Sequence, residues 1–396
     1  MKNPVQPLSG RSSNRRSFLK HGAVAAGAVT LGSGMIPVGA AGFGQDEEHR
    51  RITKGDFAIL TFLSALEQVE ADLWIQYAEL GGVTTAVPGA EGNATADLEL
   101  NGTPISTGLA TNYVLALQQL DLDMPQYITD NTDDEISHHV FLNNYIISKG
   151  GKPIDLFADG FGIFNPSDVP GVPQRKRLTN LRDLTVSTSW WTRYRSGTGN
   201  PDLGDSFPDA VPDLAKGQHP AIPNQGDLGS SGTIPNHLQA IANTAGFHFG
   251  FIEVGGTSLY PTLAQKVSNL EVLRVLLSIG PTEAMHFQTW QDKAGNAPNL
   301  SDPSQNLSFP NLNTPTNADL LQTNLIMPEP TFFLNKSLGP VSIVRPTTDA
   351  LNGAVAAVKG LTADGLFFDP VTSQNTGIVN RLLELAEEAD EARRQF

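Results

Sequence analysis

Two stretches of this chain repeat one spacing, Glu135-Ile-Ser-His138 and Glu283-Ala-Met-His286. Residues three apart on an α-helix share a face, so each carboxylate and imidazole can reach one metal ion together. Upstream of each motif lies another segment with helical periodicity. One carries Glu67, Ala71 and Trp74, the other Glu253, Thr257 and Tyr260, each at positions 0, +4 and +7 along one helical face. The chain therefore holds two copies of one plan, Glu67/Glu135/His138 and Glu253/Glu283/His286. This constrains the fold to a mainly α architecture in which four helices aim ligands at one interior point. Glu70, one turn beyond Glu67, is the alternate ligand or a supporting carboxylate behind it. Trp74 and Tyr260 are expected beside the ligands.

This ligand set, a Glu from each of two helices plus a Glu-x-x-His from each of the other two, is that of the ferritin-like di-iron and di-manganese carboxylate bundles. Residues 56–74, Asp-Phe-Ala-Ile-Leu-Thr-Phe-Leu-Ser-Ala-Leu-Glu-Gln-Val-Glu-Ala-Asp-Leu-Trp, resemble the first helix of the secreted ferritin-like domain proteins, a family with members called desiccation-related. Residues 278–286, Ser-Ile-Gly-Pro-Thr-Glu-Ala-Met-His, resemble its fourth helix. The resemblance covers two blocks, near 52–150 and 233–295. It implies a ferritin-like four-helix bundle, often with a metal centre, and for many members no established reaction. Gly246, Gly250, Gly255 and Gly256 depart from it, being many glycines for one bundle helix, and they put the straightness of that helix in question.

Residues 1–40 read as an export signal. Asn14-Arg15-Arg16-Ser17-Phe18-Leu19-Lys20 resembles the twin-arginine motif, a mild apolar run spans Gly22 to Val38, and Val38-Gly39-Ala40 offers small residues for cleavage. The competing reading, a membrane anchor, is disfavoured by the run's length and its Gly and Ala content. Twin-arginine export moves folded proteins, which suits a metal loaded before crossing, and it places the mature protein in the periplasm or outside the cell. The whole chain carries net −15, and residues 1–40 contain five basic side chains and no acidic one, leaving −20 for the remainder. That balance argues against nucleic acid and anionic membrane surfaces as partners. The absence of cysteine excludes disulfides and thiolate metal sites.

The division expected is 41–150 for the first helix pair, 151–232 for an insertion in the middle crossover, 233–295 for the second helix pair and 296–396 for a mixed C-terminal extension. The first helix begins at Thr53 and ends at Gly81-Gly82. Residues 83–108 read as a long loop, in which the sequon at Asn93 carries no weight. A short helix spans Thr111 to Leu120. A helix over 132–149 is expected, capped by the acids from Asp130 to Asp134. His139 points away from the ligand face and reads as a packing or surface histidine. In the Pro- and Gly-rich insertion, Leu184–Tyr194 reads as a strand. Its Trp190, Trp191 and Tyr194 either cover an opening to the bundle or fill a satellite core. The third helix runs from Pro235 to Tyr260, where Pro261 ends or kinks it, and His248 reads as structural. The fourth runs from Asn269 to Gly295, bent near Gly280-Pro281. Short strands are expected at Thr331–Leu334 and Val341–Val344, and helices near Asp349–Val358 and Thr376–Arg394. The last of these either wraps the bundle or mediates homo-oligomer contacts.

Four carboxylates and two imidazoles suit two Fe or Mn ions better than zinc. Glu135 and Glu283 are expected to bridge the ions, with Glu67 and Glu253 terminal. The outer nitrogens of both histidines should meet hydrogen-bond acceptors behind the ligands. Three functions stay open at this point: a di-metal oxidoreductase acting on peroxide, dioxygen or a small reductant; a metal-binding bundle with a structural or stress-protective role and no turnover; and a metal-free bundle.

Overall fold

Thr53 and Asp56 start the first helix. The Thr53 hydroxyl accepts from the Asp56 amide and the Asp56 carboxylate accepts from the Thr53 amide, a reciprocal cap that satisfies two amides left over at a helix start. In a computed structural model that describes residues 51–91, 99–100, 103–195, 206–313, 337 and 353–395, this helix, α1, spans Lys54–Gly81. It is followed by α2 (Thr111–Leu117), α3 (Met124–Ser148), α4 (Ser189–Arg193), α5 (Asn236–Ala264), α6 (Leu270–Ala294), α7 (Gly353–Ala363) and α8 (Ile378–Glu391). The described strands form three two-stranded antiparallel pairs, β1 (Glu99–Leu100) with β2 (Thr103–Pro104), β3 (Leu300–Asp302) with β4 (Leu307–Phe309), and β5 (Phe368–Asp369) with β6 (Gln374–Asn375). The chain is mainly helical, a helical bundle with peripheral hairpins. The export-signal reading of residues 1–40, the sequon at Asn93 and the strands expected at 331–334 and 341–344 lie outside the described residues.

Contacts along the long helices fix their directions. On α1, His138 of α3 lies beside Glu67 and the Thr132 hydroxyl bonds the Trp74 carbonyl, so α1 and α3 run antiparallel. Tyr260 of α5 meets Glu67 and His248 meets Tyr77, so α1 and α5 are also antiparallel. It follows that α3 and α5 run the same way, and the chain between them must travel the length of the bundle. The short turn over 265–269 folds α6 back along α5, where Gly280 packs on Tyr260 and Gly256 on Glu283.

The connecting segment is bound to α1 by polar side chains that a free amphipathic helix would turn to water. Gln68 bonds Ile154 and Leu156, the Asp72 carboxylate accepts from the Leu178 and Thr179 amides, and Glu79 pairs with Arg177 at 2.6 Å. As a result α1 is buried at every residue from Phe62 to Gly81. The C-terminal elements close the remaining side. The Asp390 carboxylate of α8 accepts from the Ala354 and Val355 amides that start α7, and Lys266 pairs with it at 2.8 Å. Helices, crossover and C-terminal elements share one hydrophobic core.

Several expectations need correction. The segment Leu184–Tyr194 is not a strand. Only Leu184 makes an isolated bridge, to His219, and Ser189–Arg193 is helical. Asp209 holds the preceding turn instead, accepting from the Thr188 amide and the Ser187 hydroxyl. Its Trp190, Trp191 and Tyr194 belong to the main core, not a satellite. The helix α3 starts at Met124, with Pro125 in its first turn, so Asp130 to Asp134 lie inside it and cap nothing. Pro261 lies within α5, which continues to Ala264 and so does not end at Tyr260. A proline costs one helical hydrogen bond, and here the burial of Leu259, Tyr260 and Leu263 outweighs that loss. Two glycines of α5 serve close contacts with other elements: an added Cβ would meet Leu120 at 2.5 Å from Gly246 and Trp190 at 2.3 Å from Gly250.

Candidate metal centre

All six expected ligands converge in the interior. Glu67 from α1, Glu135 and His138 from α3, Glu253 from α5, and Glu283 and His286 from α6 are buried, none more than 8% exposed. They form two groups of four, Glu67/Glu135/His138/Glu283 and Glu135/Glu253/Glu283/His286, whose donor atoms lie within 4.8 Å of one another in each group. Glu135 and Glu283 belong to both groups. Glu67 and Glu253 belong to one each. The two imidazole rings stand 6.3 Å apart, centre to centre.

The histidines show which of their nitrogens faces inward. His138 Nδ1 lies 3.4 Å from Glu67, 3.3 Å from Glu135 and 3.3 Å from Glu283. Its Nε2 lies 3.1 Å from the Thr282 hydroxyl, which donates its own proton to the Ile279 carbonyl and so has only lone pairs to offer. Nε2 must therefore carry the proton donated to Thr282. His286 repeats this arrangement. Its Nε2 donates to the Asp134 carboxylate at 3.0 Å, while Nδ1 lies 3.1 Å from Glu135 and 3.2 Å from Glu253. With Nε2–H committed outward, it is Nδ1 of each imidazole that gives up its proton and turns a lone pair toward the carboxylates when a cation takes the proton's place.

The buried acceptors fit a cation for the same reason. Glu67 Oε2 and both Glu283 oxygens are buried without a hydrogen-bond partner, although His138 Nδ1 lies close by. One N–H cannot serve three carboxylates, and unpaired buried oxygens cost several kcal/mol, on the order of 2–7 even for a neutral polar group. The titration behaviour follows. Burial pushes the Glu283 carboxyl well above the usual range, helped by the charge on Glu135. Burial also raises Glu135, to about 7, with the charge on Glu253 adding to it. Burial works against a charge on His138 and His286, yet the charges of Glu67 and Glu253 respectively, with carboxylate hydrogen bonds, raise both above their ordinary value. Burial would raise Glu67 as well, but His138 and hydrogen bonds from its neighbours hold it below the usual range.

The supporting residues divide. The Tyr260 hydroxyl donates to Glu67 Oε1, fixing that carboxylate. Glu70 is buried behind the cluster and outside both ligand groups. Burial, then the charges of Glu67, Glu135, Glu283 and Glu253, push its carboxyl well above the usual range. Trp74 makes no such link. Its ring packs against Phe249 and Trp290, and its Nε1 has no partner. The indole tied to the ligands is Trp290, which donates to Asn131 Oδ1 at 2.7 Å, while Asn131 Nδ2 donates to Glu135 at 3.0 Å and Glu253 at 3.1 Å.

Sequence reasoning missed Asn131, Asp134, Thr282, Trp290 and Gly256. Asn131 was within reach of it, lying one turn before Glu135 on the same face. Thr282 and Asp134 act on histidines of other helices, which no spacing within one helix reveals. Gly256 makes room for a ligand: a Cβ there would sit 2.4 Å from Glu283 Oε2. His248, expected to be structural, is buried with Nδ1 2.7 Å from the Tyr77 hydroxyl and Nε2 2.9 Å from Asp364 of the C-terminal region. His139 is half-buried and off the cluster.

No protein-family model, no curated protein and no solved structure matches this chain. The geometry alone establishes a buried Glu/His cluster that could hold a metal ion.

Proposed function

We propose that this chain is a ferritin-like protein that holds a dinuclear Fe or Mn centre and reacts there with a small oxidant such as peroxide or dioxygen. The observation that carries the reading is the sharing of Glu135 and Glu283 between two ligand groups, each completed by one terminal Glu and one inward Nδ1. The parallel course of α3 and α5, which makes a long crossover necessary, is the connectivity of ferritin-like bundles and supports the same reading. Donors that are all carboxylate or imidazole favour Fe or Mn. A bound pair of such ions supplies two-electron redox chemistry and polarises small oxygen species.

The chain's own residues prepare that site. Tyr260 and Asn131 hold Glu67, Glu135 and Glu253 by hydrogen bonds, so three carboxylates are oriented before a cation arrives. Thr282 and Asp134 keep the inner nitrogens of His138 and His286 free of protons once a cation is present. Burial, then the charges of the four cluster carboxylates, raise the Glu70 carboxyl beside the cluster. The twin-arginine-like segment at residues 14–20 supports export of the folded protein to the periplasm or beyond.

Elemental analysis of protein produced under native conditions tests the reading. Wild type is expected to hold about two Fe or Mn per chain, and the Glu283→Ala/His286→Ala variant to lose both metal and thermal stability. Equal metal content in the two proteins, or wild type that takes up neither metal on reconstitution, overturns it.

A further inference from the structure

A cavity of about 310 Å³ opens between α1, α4, α5 and α7, within the size range of small-molecule sites. Leu66, Trp190, Tyr194, Ile252, Leu259 and Leu361 contribute apolar walls. Its hydroxyl groups on α5 are already engaged: Ser258 donates to the Val254 carbonyl and Thr262 to the Ser258 carbonyl. Glu70 is different. It lines the cavity, is 4% exposed, and takes part in no hydrogen bond among the described residues. A buried carboxyl without a partner is costly, and a ligand group in the cavity would meet that need.

Glycines keep the space open. A Cβ added at Gly255 or Gly360, both on the cavity wall, would meet nothing within 4 Å. Both positions are helical, where glycine is disfavoured relative to alanine. No close neighbour requires glycine at either position, and the lasting effect of having it there is free volume. The inner wall adjoins the ligand cluster, because Gly256 also lines the cavity and lies against Glu283. The outer side reaches Ala356, which is exposed, and Arg193, which is half-buried.

We propose that this cavity binds a small, mostly apolar organic molecule carrying one hydroxyl, with Glu70 as its polar anchor and Gly255 and Gly360 as the positions that admit it. A neutral hydroxyl suits Glu70 in either protonation state, since it both donates and accepts. A second acid would stand against the carboxylate cluster behind Glu70. The role of the cavity as the substrate site of a metal centre rests on the reading above. The binding itself does not.

Calorimetric titration of the full chain with 4-ethylphenol, with and without metal, tests the assignment. Wild type is expected to bind it in both states, and Gly255→Leu and Gly360→Leu each to weaken binding at least about tenfold by filling the space. Glu70→Leu is expected to weaken 4-ethylphenol by about tenfold, the scale of one buried hydrogen bond, while leaving ethylbenzene unaffected. Metal content and melting temperature, measured on every protein, distinguish the two failures. Binding that follows this pattern in a chain that takes up no metal defeats only the metal reading. No binding to wild type, undiminished binding in both glycine variants, or tighter binding of phenethylamine than of 4-ethylphenol overturns the proposal.

Discussion

At the residue scale, neighbouring glycines on α5 have opposite roles. At Gly256 a methyl group would press on Glu283 Oε2 at 2.4 Å, whereas at Gly255 it would meet nothing within 4 Å. Gly256→Ala is therefore expected to lose about 1–3 kcal/mol of stability to overpacking and to weaken metal uptake. Gly255→Ala is expected to gain about 0.5–1 kcal/mol from helix propensity. Urea unfolding of both variants checks the pair, and a similar effect in the two would contradict the packing argument. Thr282 makes a second case. It contacts no carboxylate of the cluster in the hydrogen-bond pattern, yet it sets which nitrogen of His138 faces inward. Thr282→Val removes that acceptor, and a loss of about 10–100-fold in metal affinity is expected, read by competition with a chelator.

At the element scale, α1 explains why amphipathic patterning alone describes this fold poorly. Its polar residues Gln68, Asp72 and Glu79 are buried because the crossover supplies partners for each. Both ends of α1 and α6 and the start of α5 are legible in the sequence to within a residue, since caps, glycines and periodicity are local. The start of α3 and the helical turn at Ser189–Arg193, expected as part of a strand, are not. A run of acids resembles a helix start unless a distant histidine needs one of them, as His286 needs Asp134. A run of β-branched and aromatic residues resembles a strand unless no other strand is there to pair with it. The Arg177–Glu79 pair is fully enclosed, with side chains 0% and 2% exposed. Arg177→Ala leaves Glu79 buried without its cation and is expected to cost about 3–5 kcal/mol. The double change Arg177→Met/Glu79→Leu should restore most of it. Denaturant titration of the two variants reads the difference, and equal losses would mean that the charge pair is not what holds the crossover to α1.

At the scale of the whole molecule, the acid-rich interior ties stability to pH. In metal-free protein the folded state raises Glu135 from the usual 4.5 to about 7, chiefly by burial. A carboxyl raised in this way favours the folded state when protonated. Its contribution is complete below pH 4.5 and disappears as pH climbs through about 7. Glu283 and Glu70, raised by burial, act in the same direction. His138 and His286 join them above their ordinary 6.5, because the folded state holds their protons more tightly through the charges of Glu67 and Glu253, against the effect of burial. Glu67, held low by His138 despite burial, opposes this only on the acid side of 4.5. The metal-free chain is thus expected to lose thermal stability from about pH 5 to pH 8. Metal-loaded protein should show the reverse, because protons compete with the cation for the same donors. Melting curves across that range, with and without chelator, decide it, and a metal-free melting temperature that rises with pH would contradict the burial argument.

What the sequence alone determined is the helical character of the chain and the six side chains that meet inside it. Both follow from the repeat of a single helix turn, a local geometry that spacing reports directly. Tertiary structure decided the rest: that Trp290 and not Trp74 supports the ligands, that Thr282 and Asp134 orient the imidazoles, and that Gly255 and Gly360 leave a cavity beside Glu70. Each depends on which faces of separate helices are brought together. That is set by packing across the whole core, and no periodicity within one segment encodes it.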